Sequence, residues 1–207
     1  MKIRILVFAI MLLTCPLAEG QEPLKATPAL EILNKYPKVR DFTLSTSGNE
    51  AYFTLQSPLE ELSVIAYSKK RNKVWTEPLI AAFSGCYKDL EPFLSPNQLR
   101  LYFASNRPLK DSITETKDFD IWYVERKDLN SQWSGAKNVG APVNTEHNEF
   151  YPALAANHNL YFTSDALDSK GKDDIFFSEW ANNQYTTPIS LGGAINTEGF
   201  EFNAYIA

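Results

Sequence analysis

Apolar and polar residues alternate in short runs along most of this chain, and turn-forming residues separate the runs. The clearest example is NTEHNEFYPALAANHNLYFTSD, from Asn144 to Asp165. Every second residue from Phe150 to Leu154 is apolar, which is the period of a half-buried strand. Asn157-His158-Asn159 has turn chemistry, and a β-rich apolar run begins at Leu160. The stretch therefore predicts a capped turn and two short strands joined by a tight turn.

The same pattern recurs along the chain. It occurs earlier as VRDFTLSTSGNEAYFTLQS from Val39 and as KDLEPFLSPNQLRLYFASNR from Lys88, and in part as EFNAYIA from Glu201. Tyr52 and Tyr102 are 50 residues apart, and Tyr102 and Tyr161 are 59 apart. These repeats have to be interpreted together, because a repeated unit determines the fold class.

Each full unit continues with two further runs. The third runs are LSVIAYS from Leu62, DFDIWYVER from Asp118 and DDIFFSEW from Asp173. A polar turn then leads to an aromatic residue that is predicted to open a fourth strand, and these residues are Trp75, Trp133 and Tyr185. Four short strands in about 50 residues are typical of a β-propeller blade.

The predicted fold is all-β, a β-propeller of four-stranded antiparallel blades with only about three and a half blades present. The units cover about 39–88, 89–148 and 149–200, and a fourth starts at 201. Inner strands are expected near 41–45, 91–95, 151–155 and 202–206. The repeated aromatic residues are expected to fill the space between blades, and they are Tyr102-Phe103, Tyr161-Phe162, Trp122 and Phe176.

The units resemble the WD40-like β-propeller repeat, often called PD40, of the TolB-type periplasmic propellers. The pieces that carry the resemblance are EPFLSPNQLRLYFASNR, DFDIWYVER and the paired connectors VGAPVNTEHNEFYPAL and LGGAINTEGFEFNAYI, and the similarity covers about 39–207. The resemblance implies a closed ring of several blades. We therefore expect a partial chain, or a ring that something else completes. A propeller hosts many unrelated activities, so the resemblance implies a fold more than a function.

Residues 1–20 have the outline of a signal peptide. Lys2 and Arg4 precede an apolar run from Ile5 to Leu13, and small residues at Ala18 and Gly20 suit cleavage before Gln21. Export predicts a periplasmic or secreted protein. The alternative is a lipid anchor at Cys15 within Leu-Leu-Thr-Cys, although a residue smaller than Thr is usual there. An N-terminal arm over 21–38 is expected to form a helical turn or an extended segment.

Charge and cysteine content narrow the function classes. The net charge is −5 over 207 residues, and KKRNK at Lys69–Lys73 is the one short basic run. We therefore expect no nucleic-acid partner, since phosphate binding needs clustered cations. Removal of residues 1–20 leaves Cys86 as the one thiol, so no internal disulfide is expected. No apolar run is long enough to predict a membrane span.

Familiar catalytic motifs are missing from the sequence. It contains neither G-x-S-x-G nor H-E-x-x-H, and both histidines, His147 and His158, fall in predicted turns. The run Asp168–Asp174 has the acids and the glycine of a calcium loop without its later Glu. We predict no cofactor and no metal site.

The connectors between units carry the candidate binding residues. Each places a carboxylate five residues after a small polar residue: Ser84 to Asp89, Asn144 to Glu149 and Asn196 to Glu201. Propeller topology predicts that these acids reach the mouth of the central channel. The alternative is structural, because an acid at the same point of every repeat can accept backbone N–H bonds. The same alternatives apply to Asp120 and Asp174, where ordering of the third strand is favoured.

Two functions remain open on the sequence. The first is a non-catalytic module of the cell envelope that binds a protein, peptide or glycan at the connector face. Its carboxylates would favour cationic or hydrogen-bond-donating ligands. The second is a carbohydrate-active hydrolase that uses inner-strand carboxylates. A glycosidase needs two carboxyl groups at a set separation, one with a raised pKa.

Overall fold

The computed structural model describes residues 30–110, 115–166 and 168–206. The predicted signal peptide, Cys15 and the first part of the N-terminal arm lie outside the described residues. The described end of the arm is a 3-10 helix over Glu31–Lys35. No other helix occurs in these ranges, and this one is far too short to cross a bilayer.

Three antiparallel sheets follow one another along the chain. Blade 1 contains β1 (Lys38–Leu44), β2 (Glu50–Gln56), β3 (Ser63–Arg71), β4 (Val74–Trp75) and β5 (Leu79–Ile80). Blade 2 contains β6 (Asp89–Leu94), β7 (Arg100–Ser105), β8 (Asp120–Glu125) and β9 (Lys137–Asn138). Blade 3 contains β10 (Glu149–Leu154), β11 (Leu160–Ser164), β12 (Asp174–Ser178) and β15 (Ile189–Ser190), and the hairpin of β13 (Trp180–Ala181) and β14 (Gln184–Tyr185) lies between β12 and β15 in sequence. The predicted all-β architecture of antiparallel blades is confirmed.

The outermost strands begin later than the sequence pattern predicts. Trp75 and Tyr185 lie in the short strands β4 and β14, while β5 and β15 pair with β3 and β12. Trp133 lies outside the strands. The two hairpins turn on Asn72-Lys73 and Asn182-Asn183, all with positive φ. Tight two-residue turns of this kind return the chain at once, so Trp75 and Tyr185 end a hairpin instead of opening the outer strand.

The inner strand expected near 202–206 does not form. Residues 201–206 belong to no strand, whereas β1, β6 and β10 each pair with the strand that follows them. Strands need a neighbour that supplies ladder hydrogen bonds, and no strand of the described residues pairs with this segment. The segment still contacts blade 3, because Glu201 N–H donates to Asp173 O at 2.7 Å. Glu149 N–H donates to Phe119 O at 2.7 Å in the same way one blade earlier.

Apolar clusters join neighbouring blades. The cluster between blades 1 and 2 includes Tyr52, Ile65, Leu101, Phe103 and Trp122. The cluster between blades 2 and 3 includes Tyr102, Ile121, Leu160, Phe162 and Phe176. The expected packing role of the repeated aromatics is confirmed for these residues, whereas Tyr161 is half-buried. Each fully buried large side chain contributes about 1.5–3 kcal/mol, so the blades form one continuous packed body.

Candidate functional site

The first connector acid, Asp89, is fully buried at the start of β6. Its carboxylate accepts hydrogen bonds from Ser84 Oγ at 2.7 Å, Ser105 Oγ at 2.6 Å and Arg107 Nη2 at 2.6 Å. Arg107 is also buried, and its guanidinium lies 5.0 Å from the ring centroid of Phe103. Both carboxylate oxygens are therefore occupied by protein groups.

The second and third connector acids share one local motif. Glu149 accepts hydrogen bonds from the Thr145 N–H at 3.2 Å and its Oγ1 at 2.6 Å. Glu201 accepts from the Thr197 N–H at 2.9 Å and its Oγ1 at 2.6 Å. Each acid thus closes its own connector through a Thr four residues earlier. Glu149 is fully buried and Glu201 is half-buried.

The small polar residues of the connectors also point inward. Asn144 Oδ1 accepts from Ile121 N–H and its Nδ2 donates to Ile121 O, both at 2.9 Å. Asn196 makes the same two bonds to Ile175, again at 2.9 Å. Ser84 Oγ accepts from Ile65 N–H at 2.9 Å. Each side chain satisfies backbone groups of a third strand, so it fastens the connector to the preceding blade.

The acids at the start of the third strands have comparable local contacts. Asp120 accepts from Lys117 Nζ at 2.5 Å and from Asn138 Nδ2 at 2.7 Å. Asp174 accepts from the backbone N–H groups of Lys170 and Gly171 at 2.7 and 3.1 Å. These contacts order the loop that enters each third strand. None of the described residues forms a group of three or more His, Cys, Asp or Glu side chains able to hold a metal ion.

A second set of polar residues lies two positions further along the inner strands. Asp41, Glu91, Tyr151 and Asn203 have φ values of 55°, 59°, 47° and 61°. A register shift marks a bulge at this point in β1, β6 and β10. Left-handed backbone is unfavourable for residues other than Gly, and bulges re-aim side chains. All four residues line one cavity of about 490 Å³, here called the inner-strand cavity.

Contacts in the inner-strand cavity cross all three blades. Glu91 is 5% exposed, and its Oε2 accepts from Tyr151 N–H at 2.7 Å. Arg40 Nη2 lies 3.6 Å from Glu91 Oε1, and Arg40 Nε lies 2.8 Å from Asp41 Oδ2. The Asp41 contact is an ion pair without hydrogen-bond geometry, since this oxygen accepts no well-oriented bond. Arg40 Nη2 also donates to the Tyr151 hydroxyl.

The electrostatics of this cluster are unusual for a surface cavity. Burial raises the pKa of Glu91 to about 8, and the nearby Asp41 charge acts in the same direction. Burial and the Glu91 carboxylate raise the pKa of Tyr151 to about 12. At neutral pH the Glu91 carboxyl is therefore mostly protonated, and it lies beside the Arg40–Asp41 ion pair. A proton donor, Glu91, and the acidic member of an ion pair, Asp41, line the same cavity.

Apolar groups complete the walls of the cavity. Phe42, Pro92 and Pro152 line it, and Phe202 stacks on Tyr151 with 5.4 Å between ring centroids. The sequence analysis missed the polar members of this set, although a signal was present. A charged residue inside a short apolar strand, as in EPFL at Glu91, is unexpected at a core position.

No known protein-family model matches the chain, and a comparison with curated proteins finds no related sequence. The site therefore has to be interpreted from its own geometry.

Proposed function

We propose that this chain is an exported, non-catalytic binding module of the cell envelope, whose ligand is a protein, peptide or glycan. The signal-like N-terminus supports export to the periplasm or beyond, and the PD40-like repeat supports an envelope propeller. The inner-strand cavity takes the ligand. The connector residues Asp89, Asn144, Glu149, Asn196 and Glu201 hold the scaffold beneath it.

One observation carries this proposal. Equivalent bulges on successive inner strands turn Asp41, Glu91 and Tyr151 into a single cavity, and the Arg40 side chain contacts all three. Concave sites with a few convergent polar groups and a perturbed pKa are the usual location of ligand binding. The carboxyl groups of Asp41 and Glu91 favour a ligand rich in hydrogen-bond donors, such as hydroxyl or amine groups.

The proposal is tested with the full chain against glycan and peptide panels. Glu91→Gln and Tyr151→Phe keep the shape and remove a carboxyl or a hydroxyl group, so we expect affinity to fall at least fivefold. Glu201→Gln is the matched control, since it changes a carboxylate of a connector. A fivefold loss of affinity in Glu201→Gln, with no loss in Glu91→Gln, would place the site at the connector face.

The hydrolase remains a second candidate, and a specific observation favours it. One guanidinium, that of Arg40, contacts both Asp41 and Glu91, so the two carboxyl groups share one cavity. Glu91 holds its proton at neutral pH, as a general acid must, while Asp41 is paired with a cation and would serve as the ionised partner. Turnover of a glycoside panel that Glu91→Gln abolishes would establish the hydrolase. An inactive full chain that still binds a glycan would support the binding module.

A further inference from the structure

The grooves between neighbouring blades differ in what fills them. Between blades 1 and 2, Arg126 Nη2 donates to Glu50 Oε2 at 2.9 Å. The Arg126 guanidinium lies 4.4 Å from the ring centroid of Trp133, and its Nε donates to Gln98 O at 2.9 Å. Lys69 Nζ is a further 3.1 Å from Glu50. This network leaves a cavity of about 270 Å³.

The strand registers identify the equivalent residues one blade later. Tyr52 pairs with Tyr67, Tyr102 with Tyr123 and Tyr161 with Phe177. Glu50 lies two residues before Tyr52, and Arg100 lies two residues before Tyr102, so Arg100 occupies the position of Glu50. Arg126 lies three residues after Tyr123, and Trp180 lies three residues after Phe177, so Trp180 occupies the position of Arg126. The ion pair that joins blades 1 and 2 is thus replaced by a cation and an indole.

The groove between blades 2 and 3 is correspondingly larger, at about 530 Å³. Trp180 packs edge-on against Tyr185, with 4.7 Å between ring centroids. This contact takes the place of the one between the Arg126 guanidinium and the Trp133 ring in blade 2. The Trp180 and Tyr185 side chains are half-buried and line the groove. Within the described ranges, Arg100 makes no hydrogen bond or ion pair with blade 3. It stays on its own blade, 3.6 Å from Glu125 and 4.9 Å from the Tyr123 centroid.

The groove carries an excess of positive charge. Its charged lining residues are Arg100, Glu125, Arg126 and Lys127, with His158 on the opposite wall. Arg126 is already paired with Glu50, and Glu125 is shared between Arg100 and Lys137. Lys127 is exposed, and no ion pair involves it in the described ranges. Blade 3 contributes no acid to the lining.

We propose that this groove is a second binding site, which takes an acidic saccharide. The face of a sugar ring packs on Trp180 and Tyr185, and its carboxylate lies between Arg100 and Lys127. Aromatic surfaces bind the apolar face of a sugar ring while leaving its edge polar, and a guanidinium suits a carboxylate. The site is separate from the inner-strand cavity and does not depend on the function proposed for it.

The experiment is a titration of the full chain with a hexuronate trisaccharide and with a neutral trisaccharide of equal length. Calorimetry measures affinity, and a change in tryptophan fluorescence that Trp180→Phe abolishes reports contact with Trp180, one of four tryptophans. We expect the acidic sugar to bind at least tenfold more tightly, and to weaken with added salt as an exposed charge contact should. Lys127→Gln and Arg100→Gln should each weaken it by about fivefold, which corresponds to about 1 kcal/mol.

One control makes the result decisive. Lys70→Gln makes the same charge change in the groove between blades 1 and 2 and should leave affinity unchanged. Lys127 is exposed, so its substitution tests the site without disturbing the fold. Equal binding of the two sugars, or unchanged affinity in Lys127→Gln, would overturn the proposal. If a tetraglutamate peptide competes as strongly as the acidic trisaccharide, the proposal that the ligand is a saccharide would be wrong.

Discussion

The connector acid Asp89 and the inner-strand acid Glu91 stand two residues apart in sequence, yet they occupy different environments. Asp89, Glu149 and Glu201 bond to groups close in their own connector or strand pair. Glu91, by contrast, contacts Arg40 from blade 1 and Tyr151 from blade 3. A polar residue that repeats with its partner in every unit supports the architecture. A polar residue whose contacts join different units, and whose equivalents vary, is the better candidate for a site.

That variation is visible at one position of the repeat. The residue with left-handed backbone is Asp41, Glu91, Tyr151 or Asn203, and only the first three lie at a bulge. The residue two places earlier is an acid before Glu91, Tyr151 and Asn203. Backbone strain at such bulges costs about 1–3 kcal/mol per residue. The strain is retained in each inner strand although the side chain changes.

The largest expected effect comes from the connector acid with a buried ionic partner. Asp89→Ala should destabilise the protein by about 3–5 kcal/mol, because it leaves the buried Arg107 without its carboxylate. Denaturant unfolding measures the change. A loss below about 1 kcal/mol would mean that Asp89 has no structural role of this kind.

Removal of a connector amide should have a smaller effect. Asn196→Ala exposes no new charge but leaves the buried N–H of Ile175 unsatisfied, whereas Ile175 O keeps its bond from the Leu191 N–H at 3.1 Å. We therefore expect a loss of about 2 kcal/mol. Asn130→Ala is the matched control, because Asn130 is exposed. Equal unfolding midpoints for the two variants would contradict the fastening role of Asn196.

Stability should also depend on pH through the two buried glutamates. Burial raises the pKa of Glu149 and of Glu91 to about 8. The folded protein then keeps protons that the unfolded chain has released, so stability falls as pH rises from the unfolded pKa towards 8. The slope is at most about 1.4 kcal/mol per pH unit for each group, so each costs about 2 kcal/mol between pH 5 and pH 7.

Glu149→Gln separates the two contributions to this pH dependence. The amide cannot ionise, so the fall in unfolding free energy with pH should become shallower while ligand affinity is retained. Glu91→Gln should flatten the same profile and also reduce affinity. Identical pH profiles for wild type and both variants would show that neither carboxyl is protonated in the folded state.

The smallest effect is expected at the half-buried connector acid. Glu201→Gln keeps the size of the side chain and retains an oxygen that accepts from Thr197, so the loss should stay below about 1 kcal/mol. A loss as large as that of Asp89→Ala would contradict the difference in burial between the two acids.

Much of this fold could be predicted from local patterns. Alternation located the inner strands near 91–95 and 151–155, and the structure has them at Asp89–Leu94 and Glu149–Leu154. The roles of Trp75 and Tyr185 could not be predicted in the same way. A two-residue hairpin and a direct crossing to the outer strand show the same apolar pattern, and only the pairing partner distinguishes them.

The candidate site was less accessible to sequence analysis. The spacing from Asn144 to Glu149 identified a repeated polar motif, but spacing does not show which way a side chain points. The same sequence pattern is compatible with an acid that faces a ligand and one that bonds to Thr145. A bulge, which reverses side-chain direction along a strand, leaves no periodic signal.

The sequence by itself determined the repeat, the antiparallel strands and the aromatic residues that pack between blades, because these follow from short-range periodicity and side-chain volume. Only the tertiary structure decided which polar residues meet. Arg40, Glu91 and Tyr151 come from three blades, up to 111 residues apart, and Arg40 contacts both of the others. Arg100 and Trp180 likewise form a groove only because two blades pack in a particular register. Long-range contacts of this kind depend on how whole sheets dock, which no local pattern encodes.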